Sequence, residues 1–310
     1  MATHFFKGAF DGLRLDSTEF DGADFSASTV PHYQMVPHRG TRQLQLRVTP
    51  GAPSDRFRLG MSVQGIFEIE LLPPSQPFPP GVNFIEVNAN AEQTIDISIH
   101  GALPGRAFLL AEDMNGTPID SVQIAVKKQR RVTFNLFILE DSFHTATTPF
   151  LDLQEIMTLF RKIWLRQANV DLAIARGGAP LIFDLVSFGN PLHLHESPIP
   201  HSPFDRDNVF DKIQQRLAKD GFKSQDINLI ATWNQKSKPG TFTSGDTPGN
   251  SKTCHVVGLG KTSTEATVYA HEIGHALGLQ HDGHIGDHMM HEGRRDSFLL
   301  SRNDIDAVNK

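Results

Sequence analysis

The sequence has almost no cysteine, no long apolar run and no excess of basic residues. The single cysteine, Cys254, excludes an intrachain disulfide, so packing or a bound metal must hold the fold together. No apolar run approaches the roughly 18 residues that a membrane-spanning helix needs, so we expect no membrane span. The formal net charge of −6 comes without a basic stripe, which argues against nucleic acid as the main partner.

The rest of the composition is typical of a globular protein with two domains. The 310 residues are 39% hydrophobic and 21% charged, which is enough for a buried core in each domain. We predict an α+β chain in three parts. Residues 1–40 are an N-terminal segment of unclear structure, residues 41–128 a β-rich domain, and residues 129–310 a domain with both helices and strands.

Alternating apolar and polar residues predict a series of strands in the β-rich domain. The strands are Gln43–Val48, Asn83–Val87, Thr94–Ile99 and Asp120–Val126. Proline- and glycine-rich breaks separate them. The pattern favours a β-sandwich, for which an immunoglobulin-like topology is one candidate and a β-rich prodomain of another topology is the alternative. This domain could bind a partner, although no residue in it points to chemistry.

Strands and helices both occur in the last 180 or so residues. Apolar runs and alternation predict strands over residues 131–140, 170–175, 227–232 and 255–259. Helical spacing of apolar residues predicts helices over residues 152–167, 207–220 and 303–308.

The densest group of metal-binding side chains lies on a further predicted helix near the C-terminus. His271 and His275 are four residues apart, so they project from the same face of a helix, with Glu272 beside the first. Two imidazoles so placed can bind one Zn²⁺ while the carboxylate lies near the metal without ligating it. Gly278 can end the helix and return His281 as a third ligand. Three protein ligands leave a fourth position for water, as in catalytic rather than structural zinc sites.

The spacing is hard to explain by chance. A bare HExxH arises in about 3% of shuffled sequences of this composition, and the glycine and third histidine lower that to roughly one in ten thousand. Thr262 and Glu265 fit a capping box before the helix. One apolar stripe runs beside the histidines, namely Ala266, Ala270, Ile273 and Leu277. The alternative is a surface helix in a chain with 15 histidines, which explains neither the glycine nor the third histidine.

The motif resembles that of the metzincin clan of zinc endopeptidases. It reads His271-Glu272-x-x-His275-x-x-Gly278-x-x-His281, with a methionine eight or nine residues later. In that clan a tight turn carrying a methionine lies beneath the metal. Met290 or Met289 would fill this place, and we favour Met290 because an apolar residue usually precedes the turn methionine.

The resemblance implies both a fold and a reaction. Residues 129–310 would form a metzincin-like domain with a twisted mixed sheet and an active-site helix. One catalytic Zn²⁺ would be bound by the three histidines, and Glu272 would be the general base for a zinc-activated water. The substrates would be proteins or peptides.

The branch within the clan stays open. Asp282, directly after the third histidine, resembles the reprolysin-type pattern and could orient a loop or a ligand, but that branch is normally rich in disulfides. Astacins and serralysins carry a tyrosine two residues after the turn methionine, whereas this chain has only Tyr33 and Tyr269. Archaemetzincins need further cysteines and are excluded.

Clan members usually bind substrate as an extended strand along the sheet edge just before the zinc helix. By that resemblance, His255, Val256, Val257 and Gly258 could pair with substrate through main-chain hydrogen bonds. An ordinary edge strand is the equal alternative.

We therefore expect a zinc-dependent endopeptidase that acts on protein substrates. The alternative is a secreted or delivered binding or adhesion protein with a vestigial zinc site, against which the intact Glu272 argues. The N-terminal MATHFFKGAF does not read as a secretory signal. We expect export by a route that reads no such signal, or after removal of one upstream, and a delivered effector or toxin protease is a third hypothesis.

Overall fold

The computed structural model describes most of the chain. The described residues are 2–7, 32–49, 56–72, 76–79, 81–88, 94–140, 152–175, 180–184, 213–223, 226–232, 236–238, 241–242, 245–247, 251–257, 262–281, 289–291 and 298–310.

Ten strands between Ala2 and Lys127 form two five-stranded sheets, which we call the N-terminal unit. They are β1 (Ala2–Lys7), β2 (His32–Pro37), β3 (Thr41–Thr49), β4 (Arg56–Met61), β5 (Phe67–Leu72), β6 (Gln76–Pro77), β7 (Phe84–Asn88), β8 (Thr94–Gly101), β9 (Gly105–Glu112) and β10 (Pro118–Lys127). The strand orders are β1-β3-β8-β5-β6 and β2-β10-β9-β4-β7. Among the described residues of these sheets, only β2 and β10 pair in parallel, with His32 opposite Val122, and the other strand pairs are antiparallel.

The four strands predicted from alternation are all present, as β3, β7, β8 and β10, although β7 begins one residue later than predicted, at Phe84. The structure adds two strands from residues 1–40, whose structure the sequence left unclear. Of these, β1 pairs with β3 and β2 pairs with β10. The alternation has the expected cause in β8, where Ile95, Ile97 and Ile99 are buried while the residues between them are partly exposed. Buried side chains of both sheets form one apolar cluster.

The rest of the chain, from Arg130 to Lys310, is the C-terminal unit. Its strands are β11 (Arg130–Glu140), β12 (Val170–Ile174), β13 (Leu181–Asp184), β14 (Ile227–Thr232), β15 (Lys236–Lys238), β16 (Thr241–Phe242), β17 (Gly245–Asp246) and β18 (Thr253–Val257). The main sheet has the order β12-β11-β14-β18-β17, and β13 also pairs with β11. Of the described strands of this sheet, only β17 runs antiparallel to its neighbour, so the sheet is mixed, as predicted.

The helices of this unit lie where helical spacing predicts them. They are α1 (Leu153–Phe160), α2 (residues 213–219), α3 (Ser263–Ala276) and α4 (Arg302–Ala307). After α1 the chain continues through a π-helical turn, Arg161–Leu165, and a last helical turn, Arg166–Ala168. The first part of the helix predicted over 207–220 lies outside the described residues. No helix among the described residues is both long and apolar enough to cross a membrane.

The two units share buried surface. Tyr33, Met35 and Ala125 come from β2 and β10, yet they belong to the apolar cluster of the C-terminal unit. Their neighbours Val36, Ile124 and Val126 instead belong to the N-terminal cluster. Since successive side chains of a strand point to opposite faces, one face of the second sheet packs in its own unit and the other packs against the C-terminal unit.

Polar contacts reinforce this shared surface. Asp306 on α4 accepts from Lys127 at 2.8 Å and also pairs with Arg106. Asn169 donates from Nδ2 to the Lys127 carbonyl at 2.8 Å. Only Lys128 and Gln129 separate β10 from β11, so the units are joined without a long linker.

Candidate metal centre

Helix α3 carries three of the residues that the motif singled out. Thr262 caps it by accepting from the Glu265 amide at 3.2 Å, which is the N-cap bond of the predicted capping box. In the predicted apolar stripe, Ala266, Ala270 and Ile273 are fully buried. Burial of this stripe fixes the rotation of the helix about its axis.

The chain leaves α3 through a left-handed glycine. Gly278 has φ +101°, a conformation that L side chains rarely adopt. The Gly278 amide donates to the His275 carbonyl at 2.9 Å, and the Leu279 amide donates to the Gly274 carbonyl at 3.0 Å. These are the two hydrogen bonds of a Schellman motif, which satisfies the last carbonyls of the helix. The turn brings His281 back beside the helix.

Three imidazoles meet at the end of this turn. The Nε2 atoms of His271, His275 and His281 lie 3.1 Å from one another. Three nitrogens that bind one tetrahedral zinc at 2.0–2.1 Å are about 3.3 Å apart. The cluster could therefore hold a metal ion of this size and preference.

Hydrogen bonds on the far side of two rings fix which nitrogen faces the cluster. His271 bonds through Nδ1 to the Met289 carbonyl at 2.7 Å, and His275 through Nδ1 to the Leu279 carbonyl at 2.9 Å. A carbonyl only accepts, so Nδ1 carries the proton in both rings. In the neutral rings, each Nε2 then presents a lone pair to the cluster. Lone pairs this close repel each other unless a cation lies between them, so the donor set fits zinc.

A methionine packs under this arrangement. A Cβ added to Gly274 would lie 2.6 Å from the Met290 sulfur and 3.4 Å from a ring carbon of Trp164. Met290 is fully buried, and Met289 supplies the carbonyl that orients His271. Met290 thus contacts this site through its side chain, whereas Met289 contacts it through its main chain.

Glu272 lies between α3 and strand β17. It is 4% exposed, and its Oε2 accepts from the Thr247 hydroxyl at 2.6 Å. A Cβ on Gly245 would lie 2.3 Å from Glu272 Oε1, so only glycine leaves room for the carboxylate at this position. Gly245 in β17 and Thr247 directly after it therefore both determine where the Glu272 carboxylate lies.

Strand β18 is not the edge of the sheet, contrary to the expectation for residues 255–258. It pairs with β14 on one side, and on the other Gly245 and Asp246 of β17 stand opposite Val256 and His255. The outermost strand among the described residues on this side is β17. A strand of two residues has no periodicity, which is why the sequence did not reveal it.

Two side chains of β18 are buried away from solvent. His255 is 1% exposed, and burial lowers the pKa of its imidazole to about 3. Cys254 is fully buried, its thiol donates to the Glu272 carbonyl at 3.2 Å, and burial raises the pKa of the thiol. Val257 ends the strand. The predicted Gly258 and Asp282 lie outside the described residues.

Several residues around the centre carry no signal in the sequence. Gly245 lies in β17, Thr247 directly after it and Gly274 in α3, and only their contacts distinguish them. Trp164 and Gln167 fall in the helix predicted over residues 152–167, and nothing in that pattern links them to the histidine cluster.

Comparison with known proteins adds to this geometry. Residues 199–310 match the matrixin family (Peptidase_M10). Matrixins are a family of the metzincin clan, so the clan resemblance is confirmed for this part, which is 112 of the 310 residues. The match suggests a zinc metallopeptidase. The matched family, matrixin, differs from the reprolysin type, to which Asp282 was compared, and from the astacins and serralysins, whose tyrosine this chain lacks.

Three solved structures that match this chain have low TM-scores and low sequence identity. The N-terminal domain of PorA matches at 12% identity over 41% of this chain and 96% of its own, with a TM-score of 0.25. A conjugative transposon lipoprotein from Bacteroides eggerthii matches at 11% identity over 30% of this chain and 86% of its own, with a TM-score of 0.22. PapD-like domain 7 of human CEP192 matches at 6% identity over 33% and 84%, with a TM-score of 0.17. No curated protein gives a significant sequence match.

Proposed function

We propose that the protein is a zinc-dependent endopeptidase. The observation that carries the proposal is the geometry of three imidazoles whose Nε2 atoms lie 3.1 Å apart, two of them held in the metal-binding tautomer by carbonyls. In this proposal His271, His275 and His281 hold the ion. A zinc ion held there supplies an activated water and polarises the scissile carbonyl.

Glu272 is the proposed general base. It follows His271 directly in the chain but is not part of the three-histidine cluster. It takes a proton from the attacking water and passes it to the leaving amine. The Thr247 hydroxyl, 2.6 Å from Oε2, holds one carboxylate oxygen in place. Gly278 and the methionine turn keep His281 and His271 in position, with Met290 as the turn methionine.

We place the substrate along β17 rather than β18. An extended peptide pairs with main-chain groups at an open sheet edge, and β17 is the outermost described strand next to Glu272. A peptide at Gly245 and Asp246 would run past the proposed base.

The catalytic domain in this proposal is residues 129–310, and the N-terminal unit is an immunoglobulin-like sandwich. Seven strands support the topology, since β1-β3-β8-β5 and β10-β9-β4 have the order of the A-B-E-D and G-F-C sheets of that fold. A binding partner of this unit, and export or delivery as an effector, stay predictions.

A binding protein with a vestigial zinc site is the weaker hypothesis. A site retained only for structure has no need of a buried carboxylate with its own hydrogen-bond donor and a glycine that makes room for it.

The test compares the wild type with Glu272→Gln. We expect about one zinc per chain by elemental analysis in both, because Glu272 is not a ligand. Cleavage of a peptide library should fall by about 10²–10⁴-fold in the variant. Glu265→Gln, two turns earlier on α3, is the matched control and should cleave normally, since glutamine also suits that capping position. Undiminished cleavage in Glu272→Gln contradicts the mechanism, and a wild type without zinc contradicts the function.

A further inference from the structure

Gln167 is a buried amide far from the motif in sequence. It lies in the last helical turn, Arg166–Ala168, and is fully buried. Its Nε2 donates to the Phe298 carbonyl at 2.6 Å, and its Oε1 accepts from the Leu300 amide at 3.0 Å. One side-chain amide therefore engages the main chain on both sides of Leu299.

Leu299 connects this contact to the metal centre. Its carbonyl accepts from the Met289 amide at 2.8 Å. The Met289 carbonyl in turn accepts from His271 Nδ1 at 2.7 Å. The hydrogen bonds thus run from Gln167 through residues 298–300 and Met289 to one ring of the histidine cluster.

A second residue of this helical segment lies close to α3. Trp164, one turn before Gln167, approaches Gly274 on the side where Met290 packs. Residues three apart on a helix project from the same face, so one short segment carries both the Trp164 ring and the Gln167 amide.

We infer that Gln167 is a positioning residue for the metal centre, acting through the main chain of residues 298–300 and 289. It holds the carbonyl that fixes the ring orientation of His271. Partners that orient metal ligands from behind change metal affinity by about 10–100-fold when they are lost. The inference rests on the proposed function, since it assumes that the histidines hold zinc.

The test measures zinc affinity of the full chain by competition with a chromophoric chelator, in protein whose folding is checked by circular dichroism. Gln167→Met keeps the length and helix propensity of the side chain but makes neither hydrogen bond. We expect its Kd for zinc to rise by about tenfold or more. Gln167→Glu keeps an acceptor for the Leu300 amide. Its Kd for zinc should lie between those of the wild type and of Gln167→Met.

Asn309→Ala is the matched control. Asn309 Nδ2 donates to the carbonyls of Ala168 and Ile305 at 2.8 and 2.7 Å, so it ties α4 to the same helix end. Its loss should lower thermal stability while the zinc Kd stays within about twofold of the wild type.

An unchanged Kd in Gln167→Met, or an equal rise in Asn309→Ala, would overturn the inference. If Gln167→Met does not fold, the Kd of Gln167→Glu decides by the same criterion. A wild type that binds no zinc refutes the proposed function instead, so the two failures are told apart.

Discussion

The two units bury different kinds of side chain. Of the thirteen buried polar or charged residues in the described part of the chain, three lie in the N-terminal unit and ten in the C-terminal unit. The N-terminal cluster consists of aliphatic residues, methionine and phenylalanine from two facing sheets. The C-terminal unit buries a glutamate, a histidine and several amides.

The difference shows how each unit is stabilised. Burial of apolar surface alone can hold the N-terminal sheets together. Burial of a polar group costs free energy unless hydrogen bonds compensate, and Gln167 and Glu272 both have such bonds. We therefore expect the buried polar groups of the C-terminal unit to fix the positions of side chains more than they stabilise the fold. The predictions below test this division, from the largest effect to the smallest.

The largest effect should appear in acid, through His255. Burial lowers the pKa of this imidazole to about 3 in the folded chain, against about 6.5 in an unfolded one. Above pH 6.5 both states are neutral there and full stability is present. As the pH falls from about 6.5 to 3, the His255 imidazole binds a proton in the unfolded state but not in the folded state. About 4–5 kcal/mol of the unfolding free energy is therefore lost.

Zinc-free His255→Leu should lack this loss, because leucine binds no proton. The measurement is the unfolding free energy by denaturant at pH 7 and pH 4, where the wild type should drop by about 3 kcal/mol more than the variant. His100→Gln, an exposed histidine of the N-terminal unit, is the control and should drop like the wild type. Equal drops in the wild type and His255→Leu would mean that this histidine is not buried neutral.

The sequence predicted most of the local structure and the meeting of the three histidines for physical reasons. The cap, the buried stripe and the terminal glycine of α3 all lie within one short stretch of sequence. The helix and the turn to His281 could therefore be predicted from the sequence alone. Each predicted strand of the N-terminal unit carries its own alternation.

What the sequence did not reveal depends on contacts between distant segments. β2 pairs in parallel with β10, about ninety residues later, and neither strand records its partner. Gln167 binds a segment more than 130 residues away. The open edge was assigned to β18 because the two residues of β17 have no pattern of their own.

The next effect concerns the surface between the units. Met35 is fully buried and belongs to the C-terminal cluster although its strand lies in the N-terminal unit. Met35→Ala should cost about 2–3 kcal/mol of unfolding free energy, since it removes a core side chain. Met114→Ala, at a position 37% exposed, is the matched control and should cost under about 0.5 kcal/mol.

Met35→Ala also tests whether the units unfold together. Circular dichroism is dominated by the sheets of both units, whereas fluorescence reports on the two tryptophans, Trp164 and Trp233, which both follow residue 129 in the sequence. We expect the two signals to change at the same denaturant concentration in the wild type and in the variant. Separate transitions in the wild type would show that the shared surface does not couple the units.

The smallest effect on stability, and a clear one on catalysis, should come from Thr247. Its hydroxyl donates to Glu272 Oε2 at 2.6 Å, so Thr247→Val keeps the shape of the side chain and frees that oxygen. We expect kcat to fall about tenfold, equivalent to about 1.4 kcal/mol of transition-state stabilisation, with KM and zinc content unchanged. Thr247→Ser retains the hydroxyl and should restore most of kcat. If serine were as slow as valine, or if only KM changed, the threonine would act by shape or on substrate binding, and the claim that buried polar groups here set catalytic geometry would lose its best-placed example.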